Sequence, residues 1–142
     1  MTTALAVVVC AVFLLLAAWH VRMAFAGHGG ESGAVPSVDG KPLFAPSPRA
    51  TLAVGCALLA FAALVASTAG LLPPVLPPAL LAWLSGGLAL GLLARAIGEF
   101  RYVGFFKRVR GSRFARLDTW VYSPLCLLLA IGVALVAWGR HP

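Results

Sequence analysis

"GEFRYVGFFKRVRGSRFARLDTW", residues 98–120, holds six of the chain's eleven Lys and Arg residues. It also holds two of its four carboxylates, Glu99 and Asp118. Long apolar runs flank it on both sides. A charged island between two such runs reads as a loop joining two membrane spans, and the rest of the chain repeats the pattern. Four apolar segments stand out: 3–25, 50–72, 78–97 and 119–138. Each is close to the ~20 residues that cross a ~30 Å hydrocarbon core as a helix. The runs are continuous and rich in Ala and Leu, whereas a barrel strand needs alternation. Inside lipid each segment must satisfy its own backbone hydrogen bonds, which favours helix. The expected fold is all-α: a four-helix transmembrane bundle with a short periplasmic hairpin between spans 2 and 3 and two cytoplasmic loops.

The composition agrees. The chain has 142 residues, is 61% hydrophobic and 11% charged, and has a mean hydropathy of +0.97. A soluble domain of this size cannot hide that much apolar surface. The net charge of +7 does not point to nucleic acid, because the cations sit beside the spans, where they mark orientation and attract anionic headgroups. Ten of the eleven cations (all but Arg140) lie in or beside the 1–2 and 3–4 loops. The positive-inside rule puts both loops in the cytoplasm and both termini outside. The first span lacks a basic start and its apolar run is long, so a retained helix is expected rather than a cleaved signal peptide.

The loops carry their own signals. In "LLPPVLPPAL", residues 71–80, Pro73-Pro74 and Pro77-Pro78 end one helix and start the next. The loop at 26–49 is rich in Gly, Pro and Ser, with a turn expected at Val38-Asp39-Gly40-Lys41. Leu43 and Phe44 are expected to pack back onto the bundle or the interface. Phe100, Val103, Phe106 and Val109 recur about every three residues among the basic ones. That spacing predicts a short interfacial amphipathic helix within the basic segment 98–118. Lys107, Arg108, Arg110, Arg113 and Arg116 are the headgroup contacts of this reading.

Three stretches make the chain resemble a known family. They are Trp19-His20 at the end of the first span, "VPSVDGKPLFAPSPRAT" at 35–51, and "RAIGEFRYVGFFKRVRGSRFARLDTWVYSPLCLLL" at 95–129. Together they resemble DUF3995, small bacterial four-span membrane proteins of unknown function. The resemblance covers nearly the whole chain and implies the four-span fold and a bacterial inner (cytoplasmic) membrane. It implies no activity.

The residues offer one polar cluster. Arg95 and Glu99 are four apart and are expected to pair on one helix face. Gly87 and Gly91 run back from them as a small-residue seam for helix packing. Asp118 is expected to cap the fourth helix, with Tyr122 one turn in. His20 ends the first helix at the same depth. Ionisable groups near lipid are costly and raise a site hypothesis. Glu99, His20 and Asp118 are the candidates for acid–base catalysis. Arg95, Arg101, Tyr102 and Tyr122 are the candidates for holding a ligand. A lipid or other amphiphile entering at the cytoplasmic interface suits such a set, and whether the protein is an enzyme stays open. The competing reading is a non-catalytic membrane subunit or scaffold, pairing through the glycine seam and basic loop with a second copy or another membrane protein.

Other chemistries have less support. Cys10, Cys56 and Cys126 lie singly in three spans, so no paired-thiol chemistry is indicated. His20, His28 and His141 lack metal-ligand spacing as a cluster, which leaves His20 with His28 as the one possible metal pair, and "GHGGESG" is not a phosphate loop. No metal or cofactor is implied. A small coupled transporter needs an ionisable group deep in the membrane, and the middle of each span carries none.

Overall fold

The computed structural model describes residues 2–26 and 34–139. Among the described residues, four helices are long and apolar enough to cross a membrane: α1 (Thr2–Ala26), α2 (Pro48–Thr68), α3 (Pro78–Ile97) and α4 (Arg113–Trp138). A two-residue hairpin, β1 (Ser37–Val38) with β2 (Lys41–Pro42), lies between α1 and α2. Its turn is made by Asp39 at φ 51° and Gly40 at φ 76°, the left-handed pair that a two-residue hairpin loop needs. Leu43 and Phe44 follow it and stay exposed, so of the two expected placements they do not take the one on the bundle.

α2 starts where Ser47 Oγ accepts the Ala50 N–H at 3.1 Å, with Pro48 in the first turn. It stops at Thr68, before the expected Leu72, because Gly70 at φ 72° turns the chain out of the helix. Pro78 opens α3, where a missing N–H costs nothing. α4 begins at Arg113 instead of Thr119. Its cap is Ser112, whose Oγ accepts the Ala115 N–H at 3.0 Å. Asp118 is therefore one turn inside the helix and caps nothing. Ser112→Ala is expected to lower stability by about 1 kcal/mol, read as a shift of the unfolding midpoint in detergent.

α1 packs on α2 and α3 packs on α4 as two close pairs, joined by thinner contacts of α1 with α4 and of α2 with α3. The core is narrow. Ala6, Val9 and Phe13 of α1 meet Ala62 and Val65 of α2, Ala89 of α3, and Leu129, Val133 and Val136 of α4. Most of these side chains are small because lipid removes the hydrophobic drive between helices, leaving close van der Waals contact to hold them. Phe13 meets Phe61 edge to face at 5.9 Å. Glycines make close approaches between the helices, Gly139 against Thr2 among them. A Cβ on Gly132 would sit 2.7 Å from Val9 Cγ2, and one on Gly55 would sit 3.2 Å from Val21 Cγ2.

The seam expected at Gly87 and Gly91 meets nothing within 4 Å in this chain. It lines instead a groove of about 750 Å³ between α2 and α3. Near the 2–3 turn Thr68 Oγ1 and Ser85 Oγ join those two helices at 2.9 Å. Replacing Gly87 with leucine is accordingly expected to shift monomer stability by no more than about 0.5 kcal/mol. Gly132→Leu forces α1 and α4 apart and is expected to cost about 1–3 kcal/mol. Unfolding the two variants side by side in the same detergent checks the contrast.

Candidate functional site

The segment between α3 and α4 is not an amphipathic helix. After Ile97 the chain doubles back on itself. Phe105 N–H donates to Ala96 O at 2.9 Å, and Val109 N–H donates to Arg101 O at 2.9 Å. Two glycines permit the crossing. Gly98 (φ 91°) and Gly104 (φ 92°) are in the left-handed region. A Cβ on Gly104 would lie 2.3 Å from Ile97 O and 2.4 Å from Gly98 Cα. The glycine spacing, not the Phe and Val spacing, governs this stretch. Phe100 and Phe106 are left exposed.

The crossing delivers Gly104 to Asp118. Asp118 is fully buried. Its Oδ1 accepts from Arg95 Nη2 at 2.7 Å, and its Oδ2 accepts from the Gly104 N–H at 2.7 Å and from Lys107 Nζ at 3.0 Å. Lys107 is 2% exposed. Its ammonium also donates to Gly104 O at 2.9 Å and to Thr119 Oγ1 at 2.6 Å. Its three N–H bonds thus meet three acceptors, which an ammonium needs in order to be buried. Lys107 is consequently not a headgroup contact. Its neighbours Arg108, Arg110, Arg113 and Arg116 are exposed.

The expected Arg95–Glu99 pair does not form. Glu99 Oε1 instead accepts the Tyr102 N–H within the loop. Helix α3 ends at Ile97, so Glu99 is no longer on the Arg95 face. Arg101 stacks over the Tyr102 ring at 5.0 Å. Of the three acid–base candidates, Asp118 is consumed by its partners and Glu99 is a loop cap. His20 stands apart from both.

A local widening of α4 puts Asp118 in place. Residues Asp118–Tyr122 form a π turn, in which the Ser123 N–H reaches back to Asp118 O. Pro124 follows it. Its ring would clash with the carbonyl four residues back, and it offers no N–H, so the wider turn gives it room.

Beside this network lies a cleft of about 460 Å³, lined by α1, α3 and α4 together with Ala34. His20, Arg95 and Tyr122 supply its polar wall; Trp19, Met23 and Leu125 are among its apolar residues. His20 Nδ1 is 2.7 Å from Leu16 O. A carbonyl only accepts, so Nδ1 carries a proton. Nε2 has no hydrogen-bond partner among the described residues. Arg95 spends Nη2 on Asp118, while its Nη1 is buried without a partner. Tyr122 packs against Phe114 at 6.0 Å.

The sequence-expected set is thus divided. The fold brings His20, Arg95 and Tyr122 together, and leaves Glu99, Arg101 and Tyr102 in the loop. Sequence reasoning missed Gly104 and the burial of Lys107. The paired glycines at 98 and 104 were the available signal. His28, and with it the question of a His20–His28 metal pair, lies outside the described residues, as do Arg140 and His141.

A search of the curated proteins and of the solved structures found no match. A family model matches residues 3–133, a range that takes in all or most of each of the four membrane-length helices. The chain belongs to the family described as "Protein of unknown function (DUF3995)".

Proposed function

We propose that this protein sits in the bacterial inner membrane with its basic end in the cytoplasm, and that it holds the polar head of a membrane amphiphile in the His20–Arg95–Tyr122 cleft. The single observation that carries the reading is the convergence of His20, Arg95 and Tyr122, from three helices, on one otherwise apolar cleft. Volume agrees, since ligand pockets run roughly 300–1,000 Å³. The mixed lining agrees too: an apolar wall takes a tail and a polar wall takes a head. The reading is one of binding. With Asp118 and Glu99 both engaged elsewhere, the cleft has a histidine but no carboxylate partner among the described residues, and an acid–base mechanism has no assembled pair.

Native mass spectrometry of the protein released from its own membrane in mild detergent tests this. Val121 lines the cleft and is 47% exposed, so Val121→Trp fills the cleft without disturbing the core. A discrete bound mass is expected on the wild type and on Glu99→Gln, and its loss on Val121→Trp. Heterogeneous phospholipid, unchanged by Val121→Trp, would sink the reading.

A second reading rests on the open glycine face. Gly87 and Gly91 border an unfilled apolar groove, the kind of surface against which another transmembrane helix packs. On that reading the protein is a scaffold or subunit. Gly87→Leu would then change its oligomeric state in detergent while leaving the cleft ligand in place.

A further inference from the structure

We infer that the loop between α3 and α4 is a shaped dock for anionic phospholipid, in which Phe100 and Phe106 enter the bilayer boundary and Arg101, Arg108 and Arg110 hold the phosphates. The inference goes beyond the cleft and does not depend on it; it needs only the four membrane-length helices. Phe100 is the starting point. It is held at φ 66°, a left-handed conformation in which a bulky residue is a steric outlier. Its ring is 56% exposed, so packing inside the protein does not offset the strain. Strained residues gather where a molecule binds its ligands, and an exposed phenyl ring at the end of a membrane span faces lipid.

The backbone sets the level of the rings. Phe105 N–H donates to Ala96 O at 2.9 Å and Phe106 N–H to Ile97 O at 3.5 Å. Phe106 therefore lies level with the last turn of α3, and it is 63% exposed. That level is the boundary between acyl chains and headgroups, where an apolar ring beside a cation is stable. Arg108 N–H donates to Phe100 O at 3.2 Å and Val109 N–H to Arg101 O at 2.9 Å, so Arg101 and Arg108 flank Phe100. The loop also steers its own guanidiniums. Arg101 stacks over the Tyr102 ring at 5.0 Å, and Arg110 Nε donates to Lys107 O at 3.3 Å. Neither contact neutralises a charge.

Lys107 is balanced by Asp118. Against Arg101, Arg108 and Arg110 the loop sets one carboxylate, Glu99, which already accepts the Tyr102 N–H. The excess positive charge surrounds two exposed rings, and an anionic leaflet complements both. Charge count alone would make any two cations at this end of the bundle equivalent. The fold does not: Arg49 and Arg116 are exposed on α2 and α4, outside the crossed loop.

The full chain in a neutral detergent is titrated with dioleoylphosphatidylglycerol or dioleoylphosphatidylcholine, and bound phospholipid is counted by native mass spectrometry. Wild type is expected to hold the anionic lipid at least about tenfold more tightly, through cations placed at its phosphate. Arg101→Gln with Arg108→Gln is expected to remove most of that preference. Arg49→Gln with Arg116→Gln deletes as much charge and is expected to leave it within about twofold. Phe100→Asn keeps every cation and suits the left-handed angle. It is expected to raise the unfolding midpoint while weakening phosphatidylglycerol binding about threefold or more, through the lost ring.

Equal losses from the two double variants would reduce the effect to charge count and overturn the dock. Phe100→Asn binding phosphatidylglycerol as wild type does would overturn it as well. Val121→Trp, which fills the cleft, is expected to leave the preference in place; its disappearance there would assign the lipid to the cleft and not to the loop. A wild type without preference for the anionic lipid would also overturn the assignment, and would leave this face to a protein partner.

Discussion

Asp118→Leu is expected to destabilise the protein by about 3–5 kcal/mol, the cost of breaking a buried ion pair from one side. Asp118 is fully buried and receives hydrogen bonds from Arg95, Gly104 and Lys107. Removing it strands Lys107, whose side chain is 1% exposed, more than Arg95, whose side chain is 36% exposed and can turn toward water. The damage therefore comes mainly through Lys107, and this has a consequence. Lys107→Met in the Asp118→Leu background removes the stranded ammonium and is expected to recover most of the loss, because an apolar pair of similar volume replaces a buried ionic one at little net cost. Lys107→Met alone leaves Asp118 paired with Arg95 and Gly104, and should cost about 1–3 kcal/mol. Reversible unfolding in mixed micelles, followed by circular dichroism, measures all three. A double variant as unstable as Asp118→Leu would show that the charge stranded on Lys107 is not the source of the loss.

Gly104→Ala is expected to be as severe, at least about 3 kcal/mol, for a different reason. The added Cβ lies 2.3 Å from a backbone oxygen, and backbone cannot give way as a side chain can. The crossing of residues 98 and 104 must open, and the Gly104 N–H and C=O then leave Asp118 and Lys107. Gly111 is the control. It has φ 105° with nothing within 4 Å, so Gly111→Ala meets only the left-handed strain of about 1–2 kcal/mol. The same unfolding assay separates them. Equal losses at 104 and 111 would mean that conformation alone matters and that the crossing is not a tight joint.

Both predictions fall on a segment that the sequence reading described correctly in composition and wrongly in shape. Phe100, Val103, Phe106 and Val109 have helical spacing, yet the segment folds back on itself. Spacing reports which residues would share a face if a helix formed; it does not say whether one forms. Here Gly98, Gly104 and Gly111 all take left-handed angles that a helix cannot hold. The Arg95–Glu99 pair failed for a related reason. Four-residue spacing brings two side chains together only where the helix continues, and α3 stops at Ile97.

The glycine seams show the same division. Gly55, Gly87, Gly91 and Gly132 look alike in sequence, each a small residue in an apolar helix. Only Gly55 and Gly132 are at helix contacts. Which face of a lipid-bathed helix turns inward is weakly written in its pattern, because lipid and protein interior are equally apolar.

The sequence by itself determined the four membrane-length helices, the hairpin turn at Asp39-Gly40, and the concentration of cations at one end. These follow from local properties: run length against bilayer thickness, turn chemistry, and the charge carried by loops. Only the tertiary structure decided which partner Asp118 takes, that Lys107 leaves the basic surface for the interior, and that His20, Arg95 and Tyr122 share a cleft while Glu99 does not. Those outcomes depend on residues far apart in the chain meeting at a distance of about 3 Å, and no periodicity within one helix encodes that.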